Sequence, residues 1–443
     1  MTVFSFPRAA RLVGFVAGLS LFGLAATPAS AIEIKDIRSP GGIEAWLVQD
    51  DTLPLISMSF AFTGGATQDP AGKPGVANFV SGMLDEGAGD LDSKAFQSRI
   101  DEFSIRMGFD ADLDSFSGHL KTLSENRDEA FRLLGMALTS PHFDADAVER
   151  IRAQIATNIR SREKDPESVA GDAWMKAAFP NHPYGNATDG TTDSIAAITI
   201  DDLKAFHDNT FARSNLKIGV VGNIDPDTLG RMLDQTFGKL PADPKLTPVP
   251  DVKVAPGTRV EISMDIPQTI IRFGGDGLLR QDPDFFAAYV ANHILGSGDF
   301  SSRLYNEVRE KRGLAYSVGT YLAPYDHSGV FVGGTATRAD RADESLKLIE
   351  SEIARFAKDG PTGEEVAKAK SYLIGNYPLR FDNSGEIAGQ LLAIQLDDLG
   401  IDYINKRNDM IRAVTVDDVK RAAVRVFGPD NLIVARVGQK PAG

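Results

Sequence analysis

Metal binding and proton transfer near neutral pH fall first to histidine. The six histidines of this sequence, His119, His142, His182, His207, His293 and His327, offer no pair at a close metal-binding spacing. Cysteine is absent, which excludes disulfides, thiolate metal sites, cysteine nucleophiles and a lipid-modified N-terminal cysteine. Ser301 and Ser302 stand near His293 and His327 in the chain, but no nucleophile motif surrounds them. The carboxylates Asp85 and Glu86 close the segment PGVANFVSGMLDEG (74–87) and read as surface acids at a helix end. A second polar stretch, GSGDFSSRLYNEVREKRGLAYSVGTYL (296–322), carries Arg309 and Tyr316. By residue type alone these are a solvated helix arginine and a half-buried core tyrosine. No self-sufficient hydrolytic centre emerges.

The elements that must position these residues follow from periodicity. In 74–87, Val76, Phe79, Val80, Met83 and Leu84 recur at helical spacing, with Asn78, Ser81, Gly82 and Asp85 on the other side. Residues 75–86, 145–162, 285–295 and 364–374 are expected to be helices. Ile43–Val48, Ile56–Thr63 and Leu216–Val221 are expected to be strands. Phe300, Leu304 and Val308 give a further helical face, ended by Gly313, after which Leu314, Tyr316, Val318 and Thr320 alternate as a strand. Asp201 and Asp202, like Asp417 and Asp418, fall where an N-cap and first helical turn belong.

The chain repeats itself. AITIDDLK (197–204) recurs as AVTVDDVK (413–420), displaced by 216, and the same displacement carries Phe211 to Phe427, Asn215 to Asn431 and Gly222 to Gly438. It also lays LKIGVVG on LIVARVG, while Val76-Ala77-Asn78 matches Val290-Ala291-Asn292 at 214. So long a period marks a duplicated domain. PADPKLTPVPDVKVAP (241–256), with five prolines, reads as a stiff connector between the copies. The expected fold class is α+β: two homologous α/β sandwich domains, 32–240 and 257–443, each a mixed sheet with helices packed on one face.

Composition and charge narrow the partners. At 42% hydrophobic and 24% charged residues the chain is ordinary globular protein. A formal net charge of −14 with no basic stripe argues against nucleic acid as partner. Arg8 and Arg11 precede the apolar run Leu12–Ala26 and the small-residue sequence TPASA, the pattern of a signal peptide (1–31) cut after Ala31. The run is shorter than the ~20 residues that span a bilayer. The expectation is a periplasmic or secreted protein with no membrane attachment after processing.

The chain resembles the insulinase/pitrilysin peptidases, the inverzincins, across about 40–440. The resemblance rests on Gly64-Gly65-Ala66-Thr67-Gln68-Asp69-Pro70 followed by Gly75 opening a helix, and on Phe179-Pro180-Asn181-His182-Pro183-Tyr184-Gly185 downstream. Active members carry H-x-x-E-H on that helix, two zinc-binding histidines around the glutamate that activates water. Laid on this pattern, the motif positions hold Asn78, Ser81 and Gly82. The third ligand of the family, a glutamate 76 residues beyond the second histidine, falls on Asn158. Catalytic zinc needs about three His or carboxylate ligands, which this set does not provide. The resemblance assigns Arg309 and Tyr316, seven residues apart, to the pair that projects from the second domain toward a zinc site. There the tyrosine donates to the oxyanion and the arginine holds the substrate.

The resemblance therefore implies a non-catalytic subunit of a heterodimeric metallopeptidase of bacterial or processing-peptidase type. Zinc and H-x-x-E-H are expected in the partner subunit, with none in this chain. Arg309 and Tyr316 would act in trans on a peptide substrate lying extended along a sheet edge. The alternative is a purely structural or peptide-binding protein of the same fold.

Overall fold

In the computed structural model, residues 33–255, 257–428 and 432–439 are described; the expected signal peptide lies outside them. The first half contributes strands β1 (Lys35–Arg38), β2 (Glu44–Gln49), β3 (Leu55–Thr63), β4 (Gly87–Ala88), β5 (Leu91–Asp92), β6 (Arg106–Ala111), β7 (Ser115–Leu123) and β8 (Leu216–Gly222). The second contributes β9 (Arg259–Ser263), β10 (Gln268–Asp276), β11 (Ala315–Pro324), β12 (Gly329–Arg338) and β13 (Ile433–Gly438). β4 and β5 form a small hairpin. The others build two sheets, ordered β1-β2-β8-β3-β7-β6 and β11-β12-β10-β13-β9. Reversed, the second order reproduces the first without β1, and each sheet has one parallel pair, β2 with β8 and β9 with β13. The duplication seen in the sequence is thus a duplication of topology.

Alternation along the strands sets the faces. Met58, Phe60 and Phe62 of β3 and Ile218 and Val220 of β8 enter the first core, with the half's own helices. Ile271 and Phe273 of β10 do the same in the second half. The opposite face of each sheet is not bare. Helix Ser384–Leu396 of the second half lies on the first sheet, where Ala388 and Leu391 pack on Val221 and Gln395 donates to the Ile218 carbonyl at 2.9 Å. A Cβ on Gly219 would stand 2.6 Å from the Ala388 carbonyl oxygen, so only glycine admits this helix. Reciprocally, helix Pro166–Ala178 of the first half lies on the second sheet. Its Trp174 packs with Ile433 and Ala435 and donates to the Ile433 carbonyl at 3.3 Å.

Two local expectations are corrected. The N-caps are Thr199 and Thr415, each closing a capping box with Asp202 and Asp418; the aspartates occupy the first turn. The helix expected over 75–86 is regular only over Val76–Ser81, because Gly82 ends it and Met83 bonds back to Val80 in a tighter turn. The connector 241–256 carries no helix or strand among its described residues. It is tied to both halves: Thr247 N donates to Gln68 Oε1 and Val252 N to the His327 carbonyl.

Candidate functional site

The helix that carries Asn78, Ser81 and Gly82 is held at its start by Asp69, whose carboxylate accepts from the Gly75 and Ala77 amides at 2.7 and 2.8 Å. Gly75 has φ 100°, a left-handed conformation that glycine adopts without penalty. Val76, Phe79 and Val80 are fully buried beneath it. Helix Ala145–Arg162, with the bounds expected from sequence, buries Ile151, Ile155 and Ile159 against the same core. Between the two elements lies a cavity of about 370 Å³, lined by Asn78, Ser81, Gly82 and Asn158 together.

Several polar groups of that cavity are already engaged. Ser81 Oγ is turned back onto the Asn78 carbonyl at 2.8 Å. Glu86 is engaged by Arg150 through two contacts of 2.6 and 2.8 Å, which hold its carboxyl below the usual range. Asp85 is pushed up by burial and accepts from Gln97 at 3.1 Å. Among the described residues no three His, Asp or Glu side chains converge to hold a metal ion. The residues at the four motif positions do not fit a catalytic zinc, since none offers an imidazole or a carboxylate.

Arg309 lies in the wide helical turn Tyr305–Glu310, and Gly313, at φ 59°, ends that turn as expected. The following strand departs from simple alternation. A register shift between Ala315 and Val318 in the pairing of β11 with β12 turns Tyr316 outward, 83% exposed, while Val318 and Thr320 stay buried. A bulge re-aims a side chain in this way. Tyr316 is therefore a presented tyrosine, not a half-buried core residue. The Arg309 guanidinium sits 5.1 Å from the Tyr316 ring centre, 4.9 Å from that of Tyr305 and 6.0 Å from that of Phe300. Phe300, expected on the apolar helix face, is instead 74% exposed. Tyr305 and Phe300 were not identified as site residues from sequence. The signal available was the i, i+4 spacing of Tyr305 and Arg309.

The turn carrying Arg309 is anchored by Arg303, whose Nε and Nη2 each reach the Glu365 carboxylate at 2.7 Å. That contact holds the Glu365 carboxyl at about 2, against an ordinary 4.5. A depressed carboxyl contributes stability above its unfolded pKa, and the contribution is lost as pH falls from about 4.5 toward 2. Arg303→Met should therefore destabilise the protein at pH 6, and the difference from wild type in denaturant unfolding should shrink as pH approaches 2.5. A difference that stayed constant would point to lost packing on Phe356, over which Arg303 stacks at 4.9 Å.

The structure thus brings Asn78, Ser81, Gly82 and Asn158 into one cavity, and Arg309 and Tyr316 into one aromatic cluster. None of the cavities described holds members of both groups. No helix among the described residues is long and apolar enough to cross a membrane.

Residues 47–192 match the model of the insulinase family, peptidase family M16, and residues 197–373 match that of the peptidase M16 inactive domain. The chain is similar to the crystal structure of a peptidase M16 inactive domain from Pseudomonas fluorescens: TM-score 0.87, 30% identity, 93% of this chain and 98% of that one. It is also similar to the non-peptidase homolog YmxG of Helicobacter pylori, 27% identical over 81% of this chain and 82% of the relative. An uncharacterized zinc protease of Streptomyces coelicolor is 27% identical over 89% of this chain and 87% of its own.

Proposed function

From the premise that the chain belongs to peptidase family M16, we propose that it is the non-catalytic subunit of a two-chain zinc metallopeptidase. The observation that carries this reading is a contrast within one molecule. All four zinc-motif positions hold residues that cannot ligate zinc, while Arg309 and Tyr316 are presented together on the surface of the second half. A tyrosine hydroxyl exposed to that degree, beside a stacked guanidinium, is available to a neighbouring subunit. Its own degenerate cavity offers nothing for it to assist. In this arrangement a partner with H-x-x-E-H brings zinc and the water-activating glutamate. This chain closes the chamber, binds substrate through Arg309 and donates from Tyr316 to the oxyanion. The peptide lies extended, with β11, the outer strand of the second sheet, as its backbone partner. Export by the N-terminal segment places the complex in the periplasm or outside the cell.

The test is reconstitution with a zinc-bearing family member: peptide cleavage should appear in the mixture and in neither chain alone. A purely structural subunit would make Arg309 and Tyr316 dispensable in the same assay.

A further inference from the structure

Arg272 stands in the middle of β10, a strand hydrogen-bonded to β12 on one side and β13 on the other. Its neighbours Ile271 and Phe273 enter the second core, so Arg272 projects on the opposite face with Ile270, which packs against Ala170 of the first half. On that face Arg272 is partly buried and has no acidic partner among the described residues. Four other arginines of this half have one: Arg303 with Glu365, Arg421 with Asp284, Arg425 with Asp282 and Arg436 with Asp343. The Arg272 guanidinium makes no hydrogen bond or ion pair with another described residue.

The space around it is built. Two cavities, of about 610 and 440 Å³, are both lined by Arg272 and Tyr321. Arg162, the other arginine of the larger cavity, is neutralised by Asp189 at 2.8 Å and Asp172 at 3.3 Å. Across the sheet Arg272 pairs with Gly334 of β12, and Gly334 with Gly319 of β11. A Cβ at 334 would stand 2.9 Å from Arg272 Nη1, so glycine there lets the guanidinium lie over the strand. A Cβ at 319 would meet nothing nearer than 3.7 Å. The row Arg272, Gly334, Gly319 is therefore a lane without side chains, running from a free guanidinium to the outer edge of the sheet.

We infer that Arg272 anchors a carboxylate subsite, holding an acidic side chain or the C-terminal carboxylate of a peptide extended along β11. The planar fork of arginine matches a carboxylate through two parallel hydrogen bonds, and the glycine lane gives the chain a path to it. This rests on the reading that the protein meets extended peptides, but it concerns binding by this chain alone and requires neither zinc nor Tyr316.

The probes are four alanine–threonine decapeptides, with Glu or Gln at the fifth position and a free or amidated C terminus. Binding to the full chain is measured by calorimetry. A carboxylate should strengthen binding about tenfold, and the preference should vanish in Arg272→Gln. Whether the Glu arm or the free-acid arm carries the effect identifies which carboxylate is held. Arg272→Lys, which keeps the charge but not the fork, should retain a reduced preference and serves if the glutamine variant does not fold. Equal binding of all four peptides, binding of none, or a preference that survives Arg272→Gln would overturn the assignment. Loss of cleavage in a reconstituted Tyr316 variant would leave it untouched.

Discussion

Tyr316→Phe, assayed in the reconstituted complex, is expected to lower peptide turnover by roughly 10²-fold or more while the complex still assembles. The magnitude is that of losing one preorganised donor to a developing oxyanion, about 3 kcal/mol. The substitution removes a single hydroxyl from a side chain that is 83% exposed, so the core does not notice it. The ring also remains to stack against Arg309, whose guanidinium lies 5.1 Å from its centre. Arg309→Ala should act differently, raising KM more than it lowers kcat, because its contact with substrate exists before the transition state. It would also release Tyr305 and Phe300 from their shared cation, which Tyr316→Phe does not. Unchanged turnover in both variants would favour the structural reading.

Trp174→Ala should cost about 3–5 kcal/mol of stability, the range for emptying a large buried aromatic site. Trp174 is 1% exposed and belongs to a helix of the first half that lies on the sheet of the second. It fits there because Gly274 lacks a side chain: a Cβ at that position would stand 2.9 Å from the indole Cζ2. Phe179, Val330 and Val332 share the cluster, so the cavity left behind opens between the two halves rather than within one. Denaturant unfolding measures the loss. A cost below about 1 kcal/mol would mean that the exchanged helix contributes little to holding the halves together.

That exchange was not legible in the sequence, and the reason is physical. Periodicity tells that one face of a helix is buried, not which sheet buries it. Trp174 and Leu391 carry the same signal whether they pack on their own half or on the other. What could be read was everything set by local rules or by repetition: the helix Ala145–Arg162, the strands around Met58 and Val220, and the duplicated topology. The four motif positions were located through the family resemblance, and they line one cavity because two packed elements bring them together. Tyr316 was located, but the simple alternation that grouped it with Val318 and Thr320 fails, since a bulge breaks the period of two without a mark in the residue types. The capping threonines, by contrast, were there to be seen: Thr199 and Thr415 each precede aspartate by three residues, the spacing of a capping box.

Zinc content and peptide cleavage, measured together on this chain, on an H-x-x-E-H partner and on their mixture, bear most directly on the division of labour. The expected result is no stoichiometric zinc and no cleavage above background in this chain, zinc in the partner, and cleavage that appears on mixing. One tightly held zinc per copy of this chain, with cleavage by the chain alone, would contradict it.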